Sequence, residues 1–505
     1  MRKKNSVKNI LTSIIPFFII TLMSIFRVRL FLHSLGEEIY STNQVFNQIF
    51  SYLSLIDGGI GCLIVQKYYK LFVDKNEEEI NYTYSKSKKT MNYVSLIIFL
   101  IGFSLSFFIK LFVNNSLSSR YLQFVFILYL IRSIIEYLFI SPRFVIQADQ
   151  KLYKINIILN IYQVIEMSIE MYLLSKKVDY AIILIFTTII RTIAYICCNR
   201  TVFKEYPWLK KVKIKRNDRF HDVGYMFWHK ISGTIKMNTD IIILSITQSP
   251  LVVTIYSSYN YIIKCLSQVV YLLSTSISSS AGNVFYKENE NKKTEVFNKI
   301  NITFLYLSAI ITIILYIEYD DFIQIWIGSK YIMDKLSKIM ICITLFQTVA
   351  SRSLILAYET MGKYKETKWI IAAEAIINLV LSIALVKPLG MFGVILATAI
   401  SGIVSMVVLP KYIYTEIFTQ GYRKYLFQYA FVFLTTIITM LGYEILKNKI
   451  EFNLSIASFA LSAIINSMMI VIFITVIFII IFKEFRELLK NYVLTFRKKE
   501  RKWDI

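Results

Sequence analysis

The stretch SIASFALSAIINSMMIVIFITVIFIIIF, residues 455–482, contains no charged side chain. A helix rises about 1.5 Å per residue, so this stretch is longer than the ~30 Å hydrocarbon core of a bilayer. Lipid offers no hydrogen-bond partner to an open backbone, and the segment is too long and uniform for a barrel strand. The stretch therefore predicts a membrane-spanning helix.

Similar apolar stretches recur along the whole chain, and about fourteen are long enough to cross a bilayer. With 56% hydrophobic residues among 505, there is too little polar surface for a soluble protein. We predict an all-α, polytopic membrane protein. The expected spans are Ile10 to Leu32, Tyr40 to Val65, Met91 to Val113, Tyr121 to Ile146, Ile155 to Leu174, Asp179 to Cys198, Asp222 to Thr247, Val252 to Ala281, Val296 to Ile317, Ile332 to Tyr358, Lys368 to Val386, Met391 to Ile417, Lys424 to Leu446 and Ser455 to Phe482.

The charge balance is strongly positive, with 57 Lys and Arg against 33 Asp and Glu. In a soluble chain this would suggest nucleic acid, but here the basic residues concentrate in alternate connections, about 39 on one side against about 8 on the other. This asymmetry predicts cytoplasmic N- and C-termini and no nucleic-acid partner. The basic segments Arg200 to Arg219 and Lys483 to Lys502 are expected to fix topology and to attract anionic membrane lipid.

An internal repeat is indicated by short matches. Gln150 to Lys154 matches Met361 to Lys365 at a constant offset, as does Thr187 with Thr398, and Ile39-Tyr40-Ser41 matches Ile255-Tyr256-Ser257 at a similar one. We predict two pseudo-repeated six-helix lobes, an architecture typical of alternating-access transporters. The expected division is an N-terminal lobe at 1–200, a basic linker at 201–220, a C-terminal lobe at 221–417, and an extra helix pair with a basic tail at 418–505. Chance similarity in an Ile-, Tyr- and Lys-rich chain is the alternative.

Ionisable residues inside spans cost about 2.5–3.5 kcal/mol each near the bilayer centre and are therefore functional candidates. Those near mid-span or one to two turns inside are Arg27, Arg29, Asp57, Arg132, Arg191, Lys236, Asp240, Lys264, Arg352 and Glu374. Arg132 and Glu136 are spaced for an intrahelical ion pair. Lys236 and Asp240 could likewise neutralise each other, but the seventh span has a polar face from end to end and must line a wet cavity or pack against partners.

Basic residues within spans, about ten, outnumber the six acidic ones, so an anionic substrate such as phosphate or pyrophosphate would supply the missing counter-charge. The carboxylates Asp57, Asp240 and Glu374 could bind a coupling H+ or Na+. No other cofactor is expected. With 3 His and 5 Cys, none in C-x-x-C spacing, neither a metal site nor a disulfide framework is supported. No phosphate-binding loop motif for nucleotides is present, and no catalytic residue is predicted.

Four stretches resemble the polysaccharide transporters of the multidrug/oligosaccharidyl-lipid/polysaccharide exporter superfamily. They are Arg29-Leu30 through Leu35-Gly36-Glu37-Glu38-Ile39-Tyr40 with Leu55-Ile56-Asp57-Gly58-Gly59-Ile60; Asn238-Thr239-Asp240-Ile241 with Val253 and Tyr256; Trp326-Ile327-Gly328-Ser329-Lys330-Tyr331; and Glu374 through Asn378 and Ser382 to Pro388-Leu389-Gly390 and Gly393. Together these stretches cover most of the chain.

The resemblance implies a flippase of the bacterial cytoplasmic membrane for undecaprenyl-pyrophosphate-linked oligosaccharide repeat units, serving capsule, exopolysaccharide or O-antigen (lipopolysaccharide) assembly. It implies two bundles that open alternately around a central cationic cavity, with Arg27, Arg29, Lys236 and Lys264 as ligands of the pyrophosphate or sugar. The polymerase machinery for the same polysaccharide would be a further partner.

Other functions remain open at this point. A flippase for lipid II or a teichoic-acid precursor, or a multidrug exporter, would belong to the same superfamily. A polytopic polymerase or ligase enzyme would need a sizeable extracytoplasmic loop, and no predicted outer connection exceeds about fifteen residues. A non-enzymatic transporter is therefore the preferred interpretation.

Overall fold

The computed structural model describes residues 2–214, 224–418, 421–447 and 455–500. Within these ranges the chain is helical and contains no β-strand, as the apolar runs predict. The last part of the expected basic linker, from residue 215, and the end of the basic tail, from residue 501, lie outside the described residues. Internal contacts divide the chain into two compact units, Met1–Ser257 and Ser258–Ile505.

The first unit contains the helices that carry the candidate site. They are α1 (Arg2–Leu53), α2 (Ile60–Val73), α3 (Glu77–Ser106), α4 (Ser119–Phe139), α5 (Ser141–Ala148), α6 (Tyr153–Ser175), α7 (Tyr180–Glu205) and α8 (Gly224–Thr247). Short 3-10 turns follow α1 at Ser54–Asp57 and α3 at Ile109–Phe112. The main packing partners are α1 with α6, α3 with α4, and α7 with both α4 and α6.

The second unit begins within α9 (Pro250–Lys287). Its further helices are α10 (Glu290–Trp326), α11 (Lys335–Ala350), α12 (Arg352–Thr360), α13 (Tyr364–Tyr412), α14 (Tyr422–Lys447), α15 (Ile456–Ile481) and α16 (Lys483–Glu500), with a 3-10 turn at Ser329–Tyr331 and a π turn at Ile413–Ile417. Helix α10 is the most buried of the candidate spans, because α11, α14 and α15 all pack against it.

Two helices are far longer than a bilayer is thick. Helix α1 has 52 residues and α13 has 49, but each is broken by a glycine with positive φ, Gly36 at 79° and Gly390 at 57°. Only glycine adopts this conformation without steric cost, so each long helix consists of two spans joined at one residue.

Eleven helical segments in the described residues are long and apolar enough to span a membrane. Two of these segments, in α1 and α13, contain the glycine breaks, so each of them provides two spans. Helix α8 has 24 residues and is long enough to span a membrane. It is not among the eleven because Lys230, Lys236 and Asp240 are too close together for any 18-residue stretch of the helix to avoid them. Counting α8 as well gives the fourteen spans that the sequence predicts.

The fourth and tenth predicted spans are each interrupted, which the sequence analysis missed. Helix α4 stops at Phe139 and α5 starts at Ser141, where Pro142 favours a new helical start. Helix α11 stops at Ala350 and α12 starts at Arg352, without a proline. The residues at the two breaks, Ile140 and Ser351, correspond to each other in the predicted repeat, at the offset that pairs Thr187 with Thr398.

The turns that follow these interrupted spans also match. Gln150 and Gly362, which are one residue out of register in the alignment that pairs Ile140 with Ser351, have positive φ values of 58° and 66°. The next residue donates its N–H five residues back in both places, Lys151 to the Ile146 carbonyl at 3.1 Å and Lys363 to the Tyr358 carbonyl at 2.9 Å. The repeat is therefore one of backbone structure as well as of sequence.

The contact-based division lies between Ser257 and Ser258, whereas the sequence analysis placed the start of the second lobe at residue 221. Helix α8, which packs against α1, and the first two turns of α9 belong to the first unit. The predicted lobe boundaries stay a prediction.

Candidate functional site

The first unit contains a half-open cavity of about 440 Å³, within the range of small-molecule sites. Helices α1, α4, α6 and α7 form its walls. The charged side chains among its lining residues are Arg27, Asp57, Arg132, Glu136, Glu166, Glu170 and Arg191, accompanied by Asn43, Asn47, Gln163, Tyr129 and Tyr180. Of these residues, the sequence analysis assigned Arg27, Asp57 and Arg132 to the site and named Arg191 only as a charge inside a span.

Arg27 of α1 is held by α6. Its Nη1 lies 3.3 Å from Oε2 of the buried Glu170. Nearby, the Tyr129 hydroxyl donates to Asn43 Oδ1 at 2.5 Å and lies 2.6 Å from the Tyr180 hydroxyl. These bonds tie α1, α4, α6 and α7 together around the arginine, and they leave its guanidinium at the cavity wall.

Glu166 of α6 is shared by two arginines. Arg132 of α4 donates from Nη2 to Oε1 at 2.6 Å, and Arg191 of α7 donates from Nε and Nη2 to Oε2 at 3.0 and 2.9 Å. Glu166 is 6% exposed, and Arg132 also contacts Thr187 Oγ1 at 3.4 Å. The predicted intrahelical ion pair of Arg132 with Glu136 is wrong, because the Arg132 guanidinium instead binds Glu166 of the neighbouring helix α6.

Glu136, one turn along α4 from Arg132, borders the same cavity. No described residue forms a hydrogen bond or ion pair with its carboxylate. An ionised carboxylate in such a place depends on cavity water or on a ligand for its solvation, because burial of a lone charge is costly.

Asp57 lies where α1 ends. Its Oδ1 lies 2.5 Å from Nζ of Lys230 on α8 and accepts the N–H of Gly59 at 2.8 Å. Lys230 also donates to the Ser54 carbonyl at 3.1 Å. The carboxylate therefore caps the break between α1 and α2 and anchors α8 to it.

The walls of this cavity do not have the positive surplus expected from the sequence. Three arginines face four carboxylates, one of which is neutralised by Lys230. The other three basic residues predicted to bind substrate, Arg29, Lys236 and Lys264, lie outside the lining. Arg29 is exposed on α1, Lys236 is half-buried on α8, and Lys264 is half-buried on α9 in the second unit.

The remaining predicted carboxylates are buried elsewhere. Asp240 on α8 is 4% exposed and accepts the Tyr256 hydroxyl at 2.6 Å. Glu374 on α13 is 2% exposed and accepts a short hydrogen bond from Ser405 of the same helix, and Asn378 one turn on donates to Thr398 at 2.9 Å. These two carboxylates lie in different units, and neither borders the cavity.

The second unit contains a charged network that sequence reasoning missed. Buried Lys338 lies 2.6 Å from Asp320 and 3.6 Å from Glu444, while Tyr316 donates to Glu444 at 2.7 Å. These residues join α10, α11 and α14. They occur at helix ends, where a search for charges near mid-span does not find them.

Comparison with known proteins gives structural but not sequence matches. No protein-family model and no curated protein matches the sequence. The lipid II flippase MurJ, in an inward closed conformation, superposes with a TM-score of 0.70 at 19% identity, over 95% of this chain and 100% of its own. An inward-facing MATE family multidrug resistance transporter of the MOP superfamily gives 0.59 at 11% identity, over 78% and 95%. The MATE multidrug transporter DinF-BH gives 0.58 at 15% identity, over 83% and 96%.

The chain shares the fold of these solved transporters, which are a flippase and multidrug exporters. Membership of the superfamily named in the sequence analysis stays a prediction. The narrower resemblance to polysaccharide transporters is a matter for proposal.

Proposed function

We propose that this protein is a flippase of the bacterial cytoplasmic membrane that moves undecaprenyl-pyrophosphate-linked oligosaccharide repeat units from the inner to the outer leaflet. The units would serve capsule, exopolysaccharide or O-antigen assembly, so the polymerase machinery would receive the product. Transport would proceed by alternating access and draw on an ion gradient or on the membrane potential.

The observation that carries this proposal is the extent of the match to the lipid II flippase. That match covers 95% of this chain, whereas the multidrug transporters cover between 78% and 87% of it. A substrate carried by a polyprenyl pyrophosphate is therefore favoured over a soluble drug. The four stretches of sequence resemblance favour an oligosaccharide repeat unit over lipid II.

The proposal assigns the anionic head group to Arg27, Arg29, Arg132, Lys236 and Lys264. Guanidinium and ammonium groups recognise phosphate by bidentate geometry and by point charge respectively. Arg27 and Arg132 already bind carboxylates, so a phosphate would have to displace Glu170 or Glu166 to reach them. The carboxylates Asp57, Asp240 and Glu374 are the candidates for binding a coupling H+ or Na+.

Complementation tests the function directly. A strain that lacks its oligosaccharide flippase should regain surface polysaccharide when it expresses this chain. Lys236→Ala and Lys264→Ala, at matched expression, should leave lipid-linked precursor on the inner leaflet. If both variants restore the polymer fully, those lysines are not ligands. If the wild type fails although it is inserted and expressed, the assigned substrate is wrong.

A second candidate, a flippase for lipid II or a teichoic-acid precursor, is favoured by the MurJ match itself. Proteoliposomes separate the candidates. The purified chain should move labelled lipid-linked oligosaccharide faster than lipid II, and a reversed ranking would make the second candidate the function.

A further inference from the structure

We infer that Arg132 and Arg191 form a fork for the pyrophosphate and that Glu166 occupies this fork until the anion displaces it. This inference rests on the proposed function and deepens it, because it adds Arg191 to the substrate ligands and makes Glu166 an internal competitor of the substrate. We call the two arginines the α4/α7 fork.

The geometry of the α4/α7 fork is that of an occupied anion site. Three guanidinium nitrogens approach one carboxylate within 3.0 Å, from two helices that both face α6. Arginine binds carboxylates and phosphates with the same planar arrangement of N–H donors. A site that holds the Glu166 carboxylate therefore also fits a phosphate group, which has more acceptor oxygens.

The two guanidinium groups of the fork can bind an anion with more negative charge than Glu166 carries. Two positive groups share one negative group, whereas a diphosphate would bring at least two negative charges to the same donors. Arg27 on α1, by contrast, has Glu170 to itself. The fork is thus the part of the cavity in which two guanidinium groups share one carboxylate.

The position of the triad distinguishes this role from a purely structural one. A buried ion triad can be a fixed part of a core. Here all three members border a cavity of about 440 Å³, so an anion has room to approach without unpacking the helices. Glu136 lies on the same wall and would repel that anion, which makes Glu136 a useful control.

Binding of inorganic pyrophosphate to the purified full chain in nanodiscs of zwitterionic lipid, measured by calorimetry, tests the inference. Glu166→Gln should tighten binding about tenfold or more, because the arginines lose a charge-assisted competitor. Glu136→Gln removes the same charge from the cavity without freeing an arginine, so it should tighten binding less than about threefold. Equal gains for the two variants, or weaker binding by Glu166→Gln, would overturn the inference.

Arg191→Gln covers the case in which Glu166→Gln fails to fold. It leaves a balanced Arg132–Glu166 pair, so the protein should remain folded, and pyrophosphate binding should fall about tenfold or more. Wild-type binding by a folded Arg191→Gln protein would refute the fork. Orthophosphate and sulfate, run in parallel, show whether the fork selects the diphosphate or accepts any free anion.

Failure of the inference and failure of the proposed function give different results. If the variants rank as expected with pyrophosphate but no lipid-linked oligosaccharide is moved in proteoliposomes, the fork stands and the proposed function falls. If transport occurs and Arg191→Gln transports and binds like the wild type, the proposed function stands and the fork falls.

Discussion

The two units share one scaffold but use the same positions differently. In the alignment that pairs Ile140 with Ser351, Glu136 corresponds to Gln347 and Arg191 corresponds to Gly402. In the first unit both side chains border the cavity. In the second unit the Gln347 amide packs directly over Gly402 and donates to the Ala399 carbonyl at 2.9 Å. An interrupted span therefore does not create a cavity by itself. The side chains beside the interruption determine whether a cavity forms, as in the first unit, or is filled by packing, as at Gln347 and Gly402 in the second.

The largest expected change in stability is at the charged cavity of the first unit. Glu166→Ala leaves two arginines without their shared carboxylate and should lower the free energy of unfolding by about 3–5 kcal/mol. Ile377→Ala, at the corresponding position of the second unit, removes only a partly exposed apolar side chain and should cost less. Thermal unfolding of both variants in nanodiscs measures the difference. Equal losses would mean that Glu166 is a packing residue.

A smaller change in stability is expected in the second unit, where Gln347 packs against Gly402. A Cβ on Gly402 would lie 2.4 Å from Gln347 Oε1, so Gly402→Ala must push a buried, hydrogen-bonded amide aside. We expect a loss of about 1–3 kcal/mol, recovered in part when Gln347→Ala is added. Gly442→Ala, where a Cβ meets nothing within 4 Å, is the matched control and should be neutral or slightly stabilising. Additive losses in the double variant would contradict the close packing.

The smallest effect is expected at Glu136. Glu136→Gln introduces the residue type found at the corresponding position of the second unit and removes a carboxylate that has no ion-pair partner among the described residues. The melting temperature should therefore stay the same or rise, corresponding to less than about 1 kcal/mol. A drop as large as that of Glu166→Ala would show that Glu136 has a structural partner, and would weaken the contrast between the units.

The sequence predicts the fold well because each span is decided by local properties. Length and hydropathy give the fourteen spans, and short matches at a constant offset give the repeat. The interruptions at Ile140 and Ser351 were missed, since each lies inside a stretch whose length and overall hydropathy are those of one continuous span. Only Pro142 offered a local signal, and nothing comparable marks the second break.

The site was predicted in part. Arg27, Asp57 and Arg132 were found because a charge inside a span is conspicuous. The ion-pair partners of these three residues were not predicted. Residues spaced i and i+4 are neighbours on one helix, whereas these ion pairs join different helices. The spacing of Gln163, Glu166 and Glu170, which puts three polar groups on one face of α6, was the available signal for the shared carboxylate. Which helices face α6 cannot be read from the spacing.

The ion pair between Lys230 and Asp57 makes the biogenesis of α8 dependent on α1. A helix with three ionisable groups is a poor candidate to leave the translocon for lipid by itself. On its polar face, Lys230 binds Asp57 and Thr239 forms a hydrogen bond with Tyr52. Both partners are synthesised long before α8. We therefore expect α8 to insert stably only when its polar face reaches these partners, which are already in the bilayer.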